Sequence, residues 1–436
     1  MVCITKASPG SPTLLPLRWS NKLTRGSKWD ERKHGLWSSR RKDSTRTDTR
    51  VCNRCIVDLA LRRFIKKEGE KGLDCSYCDA DSQGKKSVEF DRFVERVLRG
   101  IQSEWGEPNN EGVPWEQGWV GDVFDTYDIL TEEIDIGFAH DSLFKDVVSS
   151  LSDHQWCQKN FYELEPHQAL SAGWKEFASV VKHESRYVFF RRDDARARWR
   201  GGEEIPPSEF LDALGAVNES CGLYKTLPAG TAISRLRLHA EDEKLTKAGE
   251  LGSPPADKAK FANRMSAAGI SAFYGAFDKA TAIAETTTSL DESTWATLGH
   301  FRLLKDIRVV DLTKLPNLPG VFEPDSRSER QGIVFLRDFL DDFTAPIKKD
   351  GREHIEYVPT QVVAEYLRFV HRDRKNRAID GVLYKSARQT GSQACVLFVG
   401  AEAACDPGDE DSDKILVLDS TETFEIQPTP SSTHSL

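Results

Sequence analysis

The sequence predicts an α+β chain in two parts, a zinc ribbon plus helical N-terminal domain followed by a mixed α/β domain. Three observations predict it. Two Cys-x-x-Cys pairs, Cys52/Cys55 and Cys75/Cys78, stand near the start. Apolar residues recur at helical spacing over residues 88–200. From Cys221 onward, short apolar or alternating runs take over and read as strands.

A chain of 436 residues is long enough for two or three domains with sizeable cores. No apolar run approaches the roughly 18–20 residues that span a bilayer. Charges and prolines interrupt every apolar stretch near the start, so no secretory leader is expected. The sequence reads as a cytoplasmic protein without a membrane partner. In a reducing compartment its nine cysteines are expected as metal ligands or buried thiols.

Residues 1–50 hold twelve Lys/Arg against four Asp/Glu, so this arm is basic while the rest of the chain is strongly acidic. That balance excludes a nucleic-acid binder along the whole chain. The arm also carries Trp19, Trp29 and Trp37. Basic residues with interleaved aromatics can grip phosphates and stack bases, which leaves a weak nucleic-acid contact open. Low hydrophobicity and high charge favour a disordered arm instead.

A domain over 51–200 follows. Nineteen residues separate its two cysteine pairs. Each pair presents two thiolates at a tight turn, and two turns complete a tetrahedral structural zinc site with no open position for catalysis. Residues from Val57 to Leu61 start a short helix. Phe93, Val94, Val97, Leu98 and Ile101 mark the next one. Asp122 and Ser142 are placed to cap two more, and Trp174, Phe177, Val180 and Val181 give a further apolar face. These stripes read as core. His140, His154, His167 and His183 share no spacing and read as packing or surface residues. The arginines from Arg191 to Arg200 form an anion-binding patch or a solvated face.

Gly-Gly and Pro-Pro near 201–207 mark a boundary. A mixed α/β domain is expected over 208–401, with an acidic, partly disordered tail over 402–436. Ser208 opens a short helix. Thr231–His239 alternates, so Arg235 and Arg237 project from one face of a strand. Phe301–Leu312 and Ala394–Gly400 read as strands and Thr360–Arg372 as an amphipathic helix. The stretch Asn263–Glu285 holds Arg264, a glycine turn, a strand ending in Tyr274 and a small-residue helix capped by Asp278. Glu285 lies on that bland helix, as a base or as a solvated acid. Gly381–Ser386 reads as a strand that delivers a serine at its end.

In this half the pieces SRLRLH, NRMSAAGISAFY, the helix ending in Glu285, YVPTQVVAEYLR and DGVLYKS stand in one order. Over about residues 220–400 they resemble the RES domain of bacterial toxin–antitoxin toxins. The cysteine-rich helical segment resembles the HEPN/RES N-terminal type. The resemblance implies a fold like that of ADP-ribosyltransferases and NAD as substrate. It implies Glu285, Arg264 and Ser386 as catalytic residues, with Arg235, Arg237, Arg264, Tyr274 and Ser386 contacting NAD. A guanidinium can fork onto the pyrophosphate, an aromatic face suits nicotinamide, and a carboxylate suits the positive charge that develops on the ribose. The acceptor is water, phosphate or a protein. The resemblance further implies growth arrest through NAD depletion and an antitoxin or regulatory partner. Many HEPN domains cut RNA with an Arg-x4–6-His motif; no convincing instance lies on a predicted helix in 88–200, so this region reads as scaffold or partner recognition. A nucleic-acid-associated adaptor built on the basic arm and zinc ribbon is the remaining alternative.

Overall fold

Asp58 accepts a hydrogen bond from the Leu61 N–H and starts helix α1 (Leu59–Glu68), satisfying one orphan donor of its first turn. The computed structural model describes residues 48–79, 85–191, 205–287, 292–345, 351–389 and 391–427. The basic arm over 1–47, the arginine run past Arg191 and the last nine residues lie outside the described residues. Asp48–Leu436 form one unit.

Helix α1 packs on a three-stranded sheet of β1 (Arg50–Cys52), β2 (Glu70–Lys71) and β3 (Lys86–Glu89), in the order β1-β3-β2. Helix α2 (Phe90–Glu104) follows directly and buries Phe93, Val94, Val97 and Ile101, the predicted stripe. A second small sheet joins β4 (Trp105–Gly106), β5 (Val123–Asp125) and β6 (Gln155–Gln158).

The predicted cap at Asp122 gives way to β5, because Val123 and Phe124 pair with Cys157 and Trp156. Asp125 is the residue that caps, accepting from the Asp128 N–H. Helix α3 (Asp141–Ser150) begins one residue before Ser142, so that serine lies inside it. Helix α4 (Pro166–His183) buries Trp174, Phe177, Val180 and Val181 as expected. Helix α5 (Pro207–Ser220) opens on its proline and runs past Leu214 to Ser220.

The second half is a nine-stranded mixed sheet. In chain order its strands are β7 (Tyr224–Leu227), β8 (Ala232–His239), β9 (Phe273–Ala276), β10 (Thr294–Leu303), β11 (Ile307–Asp311), β12 (Gly381–Lys385), β13 (Gln393–Leu397), β14 (Ala404–Cys405) and β15 (Leu416–Ile426). Their spatial order is β14-β15-β10-β8-β9-β13-β12-β11-β7. Strands β8 and β9 meet at the single pair Ser234–Ala276.

The run Phe301–Leu312 is two strands. A turn at Leu304–Asp306 breaks it, and the Asp306 carboxylate accepts from the Ala229 N–H there. The acidic tail also departs from expectation. Strand β15 pairs with β10 along its length, burying Leu416, Val417 and Leu418. The acidic composition that reads as tail lies mostly in the loop ahead of it, at Asp406, Asp409, Glu410, Asp411 and Asp413, and continues on its exposed half at Asp419, Glu422 and Glu425.

One face of the sheet is covered by helix α6 (Ala248–Leu251) and packs Ile233, Phe273, Phe301, Val309, Leu383, Cys395 and Leu397. The other face meets helix α7 (Lys279–Thr286) through Leu236, Ala276, Ala282, Ala296 and Leu298. Two further helices, α8 (Arg327–Thr344) and α9 (Val358–Glu365), join this half to α4. The Trp174 ring meets Phe339 edge-on at 4.9 Å, and its indole N–H donates to Asp342 at 3.2 Å. The closeness of the two halves shows at Gly100 on α2. A Cβ there would lie 2.4 Å from the Phe322 ring, which only glycine avoids.

Candidate functional site

The four predicted metal ligands meet. Hydrogen bonds between Asn53 and Lys86 pin the first knuckle to β3, and the Cys55 N–H closes a turn onto the Cys52 carbonyl. The second knuckle is tied to β1 by the Ser76 N–H on the Arg50 carbonyl. Cys52–Cys55, Cys52–Cys78 and Cys55–Cys75 sulfurs stand 3.6 Å apart, and all four Sγ lie within 4.8 Å of one another. Sulfurs bound about 2.3 Å from a central zinc stand about 3.8 Å apart, so the set fits the ion. Burial and the adjoining sulfurs push the Cys55 thiol far above its ordinary range, as expected for a cluster that ionises only around a cation. The remaining described cysteines, Cys157, Cys221, Cys395 and Cys405, are buried thiols raised by burial.

A second cluster forms on the α7 face of the large sheet. Asp278 caps α7 by accepting from the Thr281 N–H at 2.8 Å, as the sequence predicts. Near the C-terminal end of that helix, Glu285 accepts a hydrogen bond from Ser386 Oγ at 2.6 Å. Ser386 follows β12 directly. Its oxygen accepts from the N–H groups of Arg388 and Gln389, at 3.1 and 3.0 Å. A hydroxyl has one proton and two lone pairs, so Ser386 is saturated, and its proton is spent on Glu285.

Arg264 comes from a loop held on several sides. Thr360 Oγ1 donates to the Arg264 carbonyl, and Gln361 Nε2 donates to the carbonyls of Asn263 and Ser266. Both donors are buried near the start of α9. The Arg264 guanidinium donates to the carbonyls of Phe343 and Ala345, at 2.7 and 2.6 Å. These carbonyls close helix α8, where unpaired C=O groups and the helix dipole favour a cation. The Tyr357 ring lies 5.7 Å from the same guanidinium. Burial lowers the Arg264 pKa, against which Tyr357, Tyr384, Glu285 and Tyr274 favour the charge. Among the described residues its five N–H donors serve two carbonyls, which leaves donors of the fork for an anion.

Tyr274 lies on the same face as α7. Its hydroxyl accepts from the Met265 N–H at 3.2 Å and pairs with Ser266 Oγ at 3.0 Å, tethering the loop that carries Arg264. Glu285, Ser386, Arg264 and Tyr274 thus converge. Two residues not singled out in the sequence join them: Tyr357 and Tyr384. Their signal was their place in the motif pieces YVPTQ and GVLYKS.

The structure does not bring Arg235 and Arg237 to this cluster. Alternation does place them together, on the face that carries Ile233, opposite the face of Leu236 and Ala276. Arg235 lies 5.2 Å from the Phe273 ring and donates to the Tyr274 backbone carbonyl at 3.4 Å. Burial lowers its pKa to about 10. Arg237 donates to the Glu250 carbonyl at 2.7 Å.

Comparison with family models gives two matches. Residues 68–195 match HEPN/RES N-terminal domain 1, and residues 237–418 match the RES domain. The convergent cluster lies within the second match. The first match takes in Cys75 and Cys78, while Cys52 and Cys55 precede it. A search of curated proteins found no match.

Proposed function

From a chain that joins a HEPN/RES N-terminal domain to a RES domain, we propose an enzyme that consumes NAD by cleaving its nicotinamide–ribose bond. The RES domain itself points to NAD-related, toxin-like function. The observation that carries the finer reading is the hydrogen bond between Ser386 and Glu285, with Arg264 alongside. It joins an oriented carboxylate and a cation on one sheet face.

In this reading the free part of the Arg264 fork binds the pyrophosphate. Glu285 faces the ribose. As the C1′–N bond breaks, its electron pair leaves on the nicotinamide nitrogen and positive charge grows on the ribose. The carboxylate stabilises that charge. Nicotinamide leaves neutral, so no general acid is required. A lone pair from water or from a phosphate oxyanion then forms the new bond at C1′; water passes its proton to Glu285 or to solvent, and the phosphate oxyanion has none to lose. Ser386 acts through Glu285 by fixing the carboxylate rotamer. Growth arrest by NAD depletion, held in check by an antitoxin or regulatory protein, is the biological use we propose. The cysteine site is structural and takes no part in the chemistry.

Purified protein incubated with NAD, with and without phosphate and beside Glu285→Ala, tests the reading. NAD loss by the parent but not the variant is expected. Free ADP-ribose as product names water as acceptor, and its 1-phosphate names phosphate. A folded, zinc-loaded protein that leaves NAD intact under both conditions would refute hydrolysis and phosphorolysis, leaving transfer to a protein to be assayed.

A further inference from the structure

The proposed substrate has a nicotinamide carboxamide that needs a hydrogen-bond donor, and the hydroxyls of Ser386 and Tyr274 already have partners within the chain. Ser386 spends its proton on Glu285 and accepts from two backbone N–H groups. Tyr274 is engaged by Met265 and Ser266. Tyr384 is different. Its hydroxyl makes no hydrogen bond among the described residues, and its side chain is only partly buried.

Its position follows from the backbone. Tyr384 precedes Ser386 by two residues along β12, so both start toward the same face. That face is the one Glu285 serves. Tyr384 lies opposite Ala394, and Ala394 lies opposite Ala276, so small side chains adjoin the ring on the neighbouring strands. Glu285, Tyr274 and Arg264 are the polar groups around it. Burial, and then Glu285, raise the phenol well above its ordinary range, so it stays protonated and serves as a donor, not as a base.

We propose that Tyr384 holds the nicotinamide end of the substrate, its ring packing on the pyridine and its hydroxyl donating to the carboxamide oxygen. This rests on the NAD reading above. It transfers to Tyr384 the aromatic role that the sequence gives to Tyr274, and leaves Tyr274 to position the Arg264 loop. An electron-rich ring face suits the pyridinium of the bound substrate. A donor fixed beside Glu285 turns the ring so that the bond to be broken faces the carboxylate.

The test uses the full chain as Tyr384→Phe and Tyr384→Ala, with nicotinamide and ADP-ribose as competing inhibitors of NAD consumption. Tyr384→Phe is expected to weaken inhibition by nicotinamide about tenfold, the loss of one hydrogen bond. Inhibition by ADP-ribose is expected to be unchanged. The thermal midpoint is also expected to hold, since no internal hydrogen bond is lost. Tyr384→Ala should weaken nicotinamide further. Unchanged nicotinamide inhibition in Tyr384→Phe overturns the proposal, even if the alanine variant fails to fold. An equal loss of ADP-ribose inhibition overturns it too, by placing the ring at the other end of the substrate. A parent protein that leaves NAD intact overturns the NAD reading itself, an outcome distinct from active parent and unaffected variants.

Discussion

Glu285 owes its orientation to a serine 101 residues further along the chain. Ser386→Ala is therefore expected to lower kcat for NAD consumption by about ten- to a hundredfold, with a smaller change in KM, because the carboxylate is present but loosely aimed. Steady-state kinetics at saturating NAD would check this; a variant with parental kcat would remove the positioning role. A second residue-scale expectation concerns acid. Burial pushes the Asp373 carboxyl up, but hydrogen bonds from Arg377 and from the Arg377 and Lys375 N–H groups outweigh it and hold the pKa at about 2. Arg308 also pairs with it at 3.2 Å. A depressed folded-state pKa gives stability that is complete above the unfolded carboxylate range near about 4 and is lost as pH falls toward 2. Asp373→Asn should thus be less stable than the parent at neutral pH, with the gap closing between about pH 4 and 2 in acid-unfolding curves. At this scale the sequence was uneven. The convergence of Arg264, Glu285 and Ser386 was legible because they sit in an ordered set of motif pieces. Tyr384 stands in the same piece as Ser386, but a tyrosine in an apolar strand looks like core. Arg235 and Arg237 were read correctly as sharing a face, but alternation alone does not say which face serves the site.

Among the elements, helix α8 does most to join the two halves, and its sequence does not advertise it. Its charged residues hide the apolar stripe of Ile333, Leu336, Phe339 and Phe343. Its C-terminal carbonyls hold Arg264, while other contacts face α4, α5 and α2. Arg327 bonds to Glu104 at 3.1 Å and to Glu165 at 3.0 Å, and Gln331 meets His167 at 2.7 Å. Arg264→Lys should lose activity by tenfold or more, because one ammonium cannot serve two helix-end carbonyls and still fork onto a pyrophosphate. The assay is kcat/KM for NAD, and a lysine variant at parental efficiency would count against the forked arrangement. Trp174→Ala on α4 should cost about 3–5 kcal/mol in denaturant unfolding, since the indole packs on Phe177, Phe210 and Phe339. Helices α2, α4 and α7 and strands β8, β9 and β12 were legible from periodicity and caps. Strand β15 was not, since an edge-ward strand with one wet half has the composition of a tail.

For the molecule as a whole, the four-cysteine cluster is a local staple and the proposed NAD site is assembled from distant segments. About one zinc per chain is expected by elemental analysis, and Cys75→Ser should lose it. Exchange of amide hydrogens over 48–79 should then quicken while the large sheet keeps its protection, because β1, α1 and β3 depend on the knuckles and the sheet does not. Retained metal in that variant would refute the four-sulfur site.

The wide spacing of the site residues also sets when the site can exist during synthesis. The zinc knuckles and α1 to α4 are complete when the first half of the chain has been made. Arg264 and Glu285 follow, yet the serine that aims Glu285, the interior strand β13 and the companion strand β15 of β10 all come later in the chain. A growing chain therefore carries its carboxylate and its arginine for a time without the strands that bring them to bear. Such pairing between distant segments is slow to form. The order of the strands in the gene thus delays the proposed chemistry until the segments that follow Glu285 have been made.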